Sequence, residues 1–137
     1  MITQDKSIFP LGNPGPAEWF TGEVHVQSLV SPEKVENLYN VGQVTFSPGA
    51  RTHWHTHPIG QVLLVLEGTG WYQQKGQPAQ IIRKGSTVAI PKDVEHWHGA
   101  SEGEKLVHIA ISNIQNGNSV TWLSPVTNTQ YAQVHQK

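Results

Sequence analysis

Eight histidines and no cysteine occur among the 137 residues, and five of those histidines fall in two short runs. Thr52-His53-Trp54-His55-Thr56-His57-Pro58-Ile59-Gly60-Gln61 places an imidazole at every second position and an amide four residues after the last. Glu95-His96-Trp97-His98-Gly99 repeats the alternation further on. In a β-strand, side chains two apart share a face. His53, His55 and His57 are therefore expected on one face, and His96 and His98 on another. Imidazoles grouped in this way suit a transition-metal ion. Trp54 and Trp97 alternate with the histidines, so they face away, as core or interface residues. The first chemistry to consider is that of a metal held inside a β-structure.

Composition narrows what can surround such a site. The formal net charge is −1, and no basic run interleaved with aromatics occurs, which argues against nucleic-acid or anionic-membrane partners. The absence of cysteine removes disulfides, thiolate metal sites and cysteine nucleophiles. Residues 1–14 lack the basic start and apolar core of a secretory signal, and the apolar run at 62–66 is too short to cross a bilayer. A cytoplasmic protein with a small-molecule substrate is the expectation. Charged residues make up only 14%, which hints that another subunit covers part of the surface.

The elements that must position the histidines are short. Glycine and proline recur along the chain, and between them lie β-rich runs at 41–46, 61–66, 80–83, 86–90 and 105–112. This spacing indicates an all-β sandwich or barrel. Val62-Leu63-Leu64-Val65-Leu66 is apolar on both faces, so cover on both sides is expected. Ser31-Pro32-Glu33 resembles a helix start, leading into a short turn towards Tyr39. Thr127 with Gln130 three residues on resembles a capping box, for a short helix through Val134. Residues 1–16 read as an irregular arm, the tail after Tyr131 as a fraying end, and His25 and His135 as surface histidines. With even positions inward, Gly42, Val44 and Phe46 would line one wall of a pocket, and His108, Ala110 and Ser112 another.

Two spaced motifs carry a resemblance. Gly49-x5-His55-x-His57-x3-Gln61-x6-Gly68 is followed by Gly85-x5-Pro91-x-Asp93-x2-His96-x3-Ala100. This pairing resembles the two motifs of the cupin superfamily. The resemblance implies an all-β single-domain jelly-roll barrel with short helical segments near the termini. Residues 1–40 would form an arm and edge strands, 41–115 the barrel core with the metal site, and 116–137 a closing strand and helix of the same domain. It implies His55, His57, Gln61 and His96 as ligands and, as is common among similar cupins, a homodimer or homotetramer; His53, on the face of His55, is expected as a neighbour in the pocket or behind the ligands. Asp93 stands where the family often has glycine, and aspartate tolerates the same left-handed turn. Ala100 replaces a frequent asparagine.

Gln61 occupies a position that is glutamate in many cupins. Three neutral imidazoles and a neutral amide leave the charge of a divalent ion uncompensated, which makes it a stronger Lewis acid. Such ligation suits Mn, Fe, Co, Ni or Zn. His98, two residues beyond a ligand, is placed to act as general base, and His108 as pocket wall. Further stretches, among them Gly15-Pro16-Ala17-Glu18-Trp19-Phe20-Thr21-Gly22 and His96-Trp97-His98-Gly99-Ala100, look like the small bacterial manganese-dependent cupin hydroxynitrile lyases. That likeness implies Mn2+ and reversible cleavage of an aromatic cyanohydrin into aldehyde and cyanide. The alternatives are a metal dioxygenase or isomerase acting on a small organic substrate, and a non-catalytic small-molecule-binding module.

Overall fold

A computed structural model describes residues 8–135, so expectations for residues 1–7 and for the last two residues lie outside the described part. Twelve strands form one curled sheet. They are β1 (Asn13–Pro14), β2 (Phe20–Thr21), β3 (Val24–Val30), β4 (Tyr39–Phe46), β5 (Arg51–Thr52), β6 (His55–Thr56), β7 (Gln61–Gln74), β8 (Gln80–Arg83), β9 (Thr87–Ile90), β10 (His96–Ala100), β11 (Leu106–Asn113) and β12 (Thr121–Trp122). Along the sheet the order is β1-β3-β4-β11-β7-β10-β5-β2, with β6 on β10, β12 on β6, and β8 and β9 on β7. All pairings are antiparallel. The expected all-β barrel is present.

The central strand differs from the expectation. The run at 61–66 does not end at Gly68-Thr69-Gly70 but continues as β7 to Gln74. Its first half pairs with β11 and β9, its second half with β10 and β8. The glycines make a corner rather than a reversal. Gly68 has φ 82°, and a Cβ there would fall 1.7 Å from the Lys105 carbonyl oxygen. At Gly70 a Cβ would fall 2.1 Å from the Gly99 carbonyl oxygen. Only glycine permits both the left-handed turn and this close approach.

Strand register arranges the inner wall in three rungs. Asn40, Ser112 and Gln61 face one another across β4, β11 and β7. Gly42, Ala110 and Leu63 form the next rung, and Val44, His108 and Val65 the third. Phe46, Leu106, Ile82 and Ile90 are buried in one cluster with Leu63 and Val65 of this wall. Phe46, expected on the wall, belongs to this core. The other face of the apolar run is only partly covered within the chain, and Val62 is 39% exposed.

Trp54 and Trp97 point away from the histidines into a second cluster with Val126, Tyr131 and Val134. The helix α1 (Asn128–Gln133) seals that cluster. Its capping box is complete: the Gln130 amide donates to Thr127 Oγ1 at 3.0 Å, and the Thr127 amide to Gln130 Oε1 at 2.9 Å. Arg51 is buried, and among the described residues no carboxylate pairs with it. It donates to the Val126 carbonyl and to Asn128 Oδ1, both at 2.9 Å, and lies over the Tyr131 ring at 4.4 Å. His135 is held rather than free on the surface, since it accepts from Trp71 Nε1 at 3.1 Å.

Two further expectations take a more definite form. The segment after Ser31 is a 3₁₀ turn over Pro32–Val35, stopped by left-handed Glu36 and Asn37. The arm is not wholly irregular, because Asn13–Pro14 pairs with β3 and the Gln43 amide donates to the Pro10 carbonyl at 3.1 Å.

Burial, and then the Glu102 carboxylate, push the Tyr131 phenol up to about 12, so it remains a donor. It donates to the Ala100 carbonyl at 2.6 Å. Tyr131→Phe is expected to lower unfolding free energy by about 1–2 kcal/mol in urea denaturation, with the metal content of the protein unchanged.

Candidate metal centre

His55 and His96 lie directly opposite each other in the β6–β10 pairing. Their rings approach to 4.2 Å between centroids, and His57 lies 4.9 Å from His55 and 5.4 Å from His96. His57 follows β6 in the loop towards Gly60. Its carbonyl accepts from the Asp93 amide at 2.8 Å, and Asp93 adopts the left-handed turn expected of it, with φ 61°. Gln61 opens β7 and points to the same side. The two histidine runs and the glutamine are thus brought together.

The positions of the ring protons follow from the partners. A carbonyl only accepts, so each Nδ1 bonded to one must donate. His55 donates to the His53 carbonyl at 2.8 Å, His96 to the Val94 carbonyl at 2.9 Å, and His57 to the Ser119 carbonyl at 2.6 Å. Each neutral ring then carries its lone pair on Nε2. Nε2 of His57 and His96 is buried without a partner, and so is Gln61 Oε1. The Gln61 amide nitrogen donates to Ser112 Oγ at 2.8 Å, which leaves the oxygen for the site. Buried acceptors without donors are uncommon and costly. A cation held among them would satisfy them, and three imidazole nitrogens with one amide oxygen fit a divalent transition-metal ion.

His98 belongs to the same cluster with different surroundings. Its ring nitrogen lies within 4.8 Å of those of His55 and His96. Its Nδ1 is 3.0 Å from His108 Nε2, so its second nitrogen is shared with an imidazole rather than fixed by a carbonyl. Nε2 of His98 is also buried without a partner. Burial holds every ring of the cluster towards its neutral form. His55 and His98 lie well below their ordinary value, and neighbouring imidazoles add to the effect of burial. His96 and His108 are lowered to about 4, and His57 is lowered less, because the Ser119 carbonyl and Gln61 oppose burial.

A cavity of about 230 Å3 opens beside the cluster. His55, His57, Gln61, His98 and His108 line it, with Gly42, Val44, Ala110 and Ser112 on the wall expected from strand parity. His53 does not line it. Its carbonyl supports His55, while its ring turns to the main chain of Glu18 and Phe20. Trp19, Phe20, Trp122 and Ser119 also line the cavity, although the histidine motifs gave no sign of them. Trp122 stacks on Trp19 at 5.4 Å and 10°, and lies 4.6 Å from the His55 ring. The short strand Thr121–Trp122 was readable as β-prone, but its pairing with β6 is a tertiary fact.

The cupin domain family matches residues 42–112. The chain is 43% identical over 118 residues to an (R)-mandelonitrile lyase of Granulicella tundricola, covering 85% of this chain and 88% of that protein. A crystal structure of a cupin-like protein from Thermotoga maritima superposes with a TM-score of 0.90 at 46% identity, over 94% of this chain and 97% of the other. A polyketide cyclase from Streptomyces resistomycificus shares the fold alone, with a TM-score of 0.65 at 15% identity over 99% and 92% of the two chains. With both motifs on facing strands of one barrel, the chain belongs to the cupin family.

Proposed function

We propose that the protein is a metal-dependent hydroxynitrile lyase that reversibly cleaves an aromatic cyanohydrin, such as mandelonitrile, into aldehyde and cyanide. The observation that carries this reading is the grouping of the His55, His96 and His98 ring nitrogens within 4.8 Å of one another, with the unpartnered buried acceptors of His57 and Gln61 on the same cavity. The relative named as a mandelonitrile lyase supports the choice of substrate. His55, His57, Gln61 and His96 are the residues that would hold the ion, with Mn2+ the first to test. A divalent ion there would supply a Lewis acid beside the hydroxyl of the substrate.

His98 is kept apart from the ligand set because of its second nitrogen. Ligating histidines commonly fix their free N–H on a carbonyl, as His55, His57 and His96 do. His98 instead pairs with His108. When His98 Nδ1–H donates to His108 Nε2, its own Nε2 is a free base on the cavity wall. His98 then takes the proton of the cyanohydrin hydroxyl. The bond between carbinol carbon and nitrile breaks, its electrons leave with cyanide, and the His98 imidazolium returns the proton to cyanide. The ring of the substrate finds aromatic walls at Trp19, Phe20 and Trp122, and space at Gly42 and Ala110.

His98→Ala is expected to retain its ion by elemental analysis while cyanide release from racemic mandelonitrile falls by about 100-fold or more. Manganese-loaded wild-type protein that releases no more cyanide than a chelated control would end the lyase reading for this substrate. Chelated protein should also show a pH signature. Its buried His96 and His108 stay neutral down to about 4, whereas unfolded histidines bind protons near 6.5. The unfolded chain therefore carries more protons between these values. Stability should rise with pH from about 4 to 6.5, by up to ~1.4 kcal/mol per pH unit for each such histidine, and level off above. Thermal melts from acid to neutral pH read this directly, and a flat profile would contradict it.

A further inference from the structure

Residues 115–120 join β11 to β12 and are mostly exposed, yet Ser119 and Val120 line the cavity. The tip of this strap holds its own shape. Gln115 and Asn118 exchange main-chain hydrogen bonds at 2.8 and 3.0 Å around Asn116 (φ 53°) and Gly117 (φ 77°). Two left-handed residues in succession make the tight turn suited to a hairpin. Attachment to the barrel is sparser. Among the described residues, two hydrogen bonds run from residues 115–120 to the barrel. Ser119 Oγ accepts from Asn40 Nδ2 at 3.4 Å, close to the limit, and the Ser119 carbonyl accepts from His57 Nδ1 at 2.6 Å. Just beyond, Thr121 and Trp122 pair with Thr56 and His55, and the Trp122 ring lies on that of His55. One segment thus supports two imidazoles of the site from outside.

A neutral imidazole can carry its proton on either nitrogen, and only the Nδ1–H form leaves Nε2 free to ligate. The Ser119 carbonyl selects that form for His57. With a cation on Nε2, the Nδ1–H becomes a stronger donor, and its bond to a carbonyl tightens. We infer that the strap 115–122 is a positioning element, acting through the Ser119 carbonyl, and that its docking over the cavity is coupled to ion binding at His57. The inference rests on the reading of His57 as a ligand. The coupling is reciprocal: whatever loosens the strap weakens the ion, and the ion quiets the strap. Ser119, Val120 and Trp122 are cavity wall, so a strap that loosens would also open the cavity on that side.

The test uses the full chain with manganese alone. Calorimetry gives the affinity, and hydrogen–deuterium exchange by mass spectrometry gives the protection of residues 115–122. Manganese is expected to slow exchange there about fivefold or more, within the usual range of coupling between sites. Gly117→Val strains the turn at the tip, where a Cβ meets nothing within 4 Å, and should weaken manganese binding about fivefold or more. Gly76→Val imposes the same strain at φ 81° in the β7–β8 turn, also in open space, and should leave the affinity unchanged. Strap exchange that is indifferent to bound manganese overturns the inference alone, as do equal affinities of the two glycine variants. Wild-type protein that binds no manganese overturns the metal reading and the inference together.

Discussion

Five imidazoles are buried together with no carboxylate among the residues that line the cavity. Charge is therefore excluded, and each ring has one proton to place. His55 and His96 solve this in the same way, each donating to the carbonyl two residues before it. His57 donates to Ser119 on the neighbouring segment that leads into β12. These choices leave the lone pair of each ring on Nε2. An unpaired buried acceptor costs about 1–3 kcal/mol, so three or four of them weigh heavily against the total stability of a small domain. The rest of the barrel holds this arrangement in place, and a cation there would satisfy it.

The barrel can carry that load because its central strand is shared. β7 begins with Gln61 at the site, turns the corner at Gly68 and Gly70, and ends against β10, which begins with His96. Two parts of the site are thus joined by one continuous run of backbone. On the outer face, Trp54 and Trp97 alternate with the histidines and anchor in the cluster under α1. The same two-residue period that turns imidazoles inward fixes their strands from behind. Arg51 ties that cluster to the barrel through main-chain oxygen and an aromatic face rather than through an ion pair.

Much of the site was legible from local periodicity. Alternation placed His55, His57, His96 and His98, motif spacing reached Gln61, and parity found Gly42, Val44, His108, Ala110 and Ser112 on the cavity wall. The alternation ran out at His53, because the break between β5 and β6 turns its ring out of line. Gly68-Thr69-Gly70 read as a turn, because the same glycines serve a reversal and a corner, and only the partners across the sheet decide which. Trp122 and Ser119 were not visible, since both act through pairing with residues more than sixty positions away.

The three-rung wall separates tasks that many sites mix. The first rung ends in Gln61, and the third holds His108, the partner of His98. Between them lie Gly42 and Ala110, small side chains with no hydrogen-bonding duty. Successive rungs are two residues, or roughly 7 Å, apart along each strand. Bulk is therefore set apart from the polar groups on either side, though at Gly42 a Cβ would fall 3.3 Å from the Gln27 carbonyl oxygen. A wall built in this way lets the width of the cavity be altered at Ala110 while the groups above and below keep their hydrogen bonds.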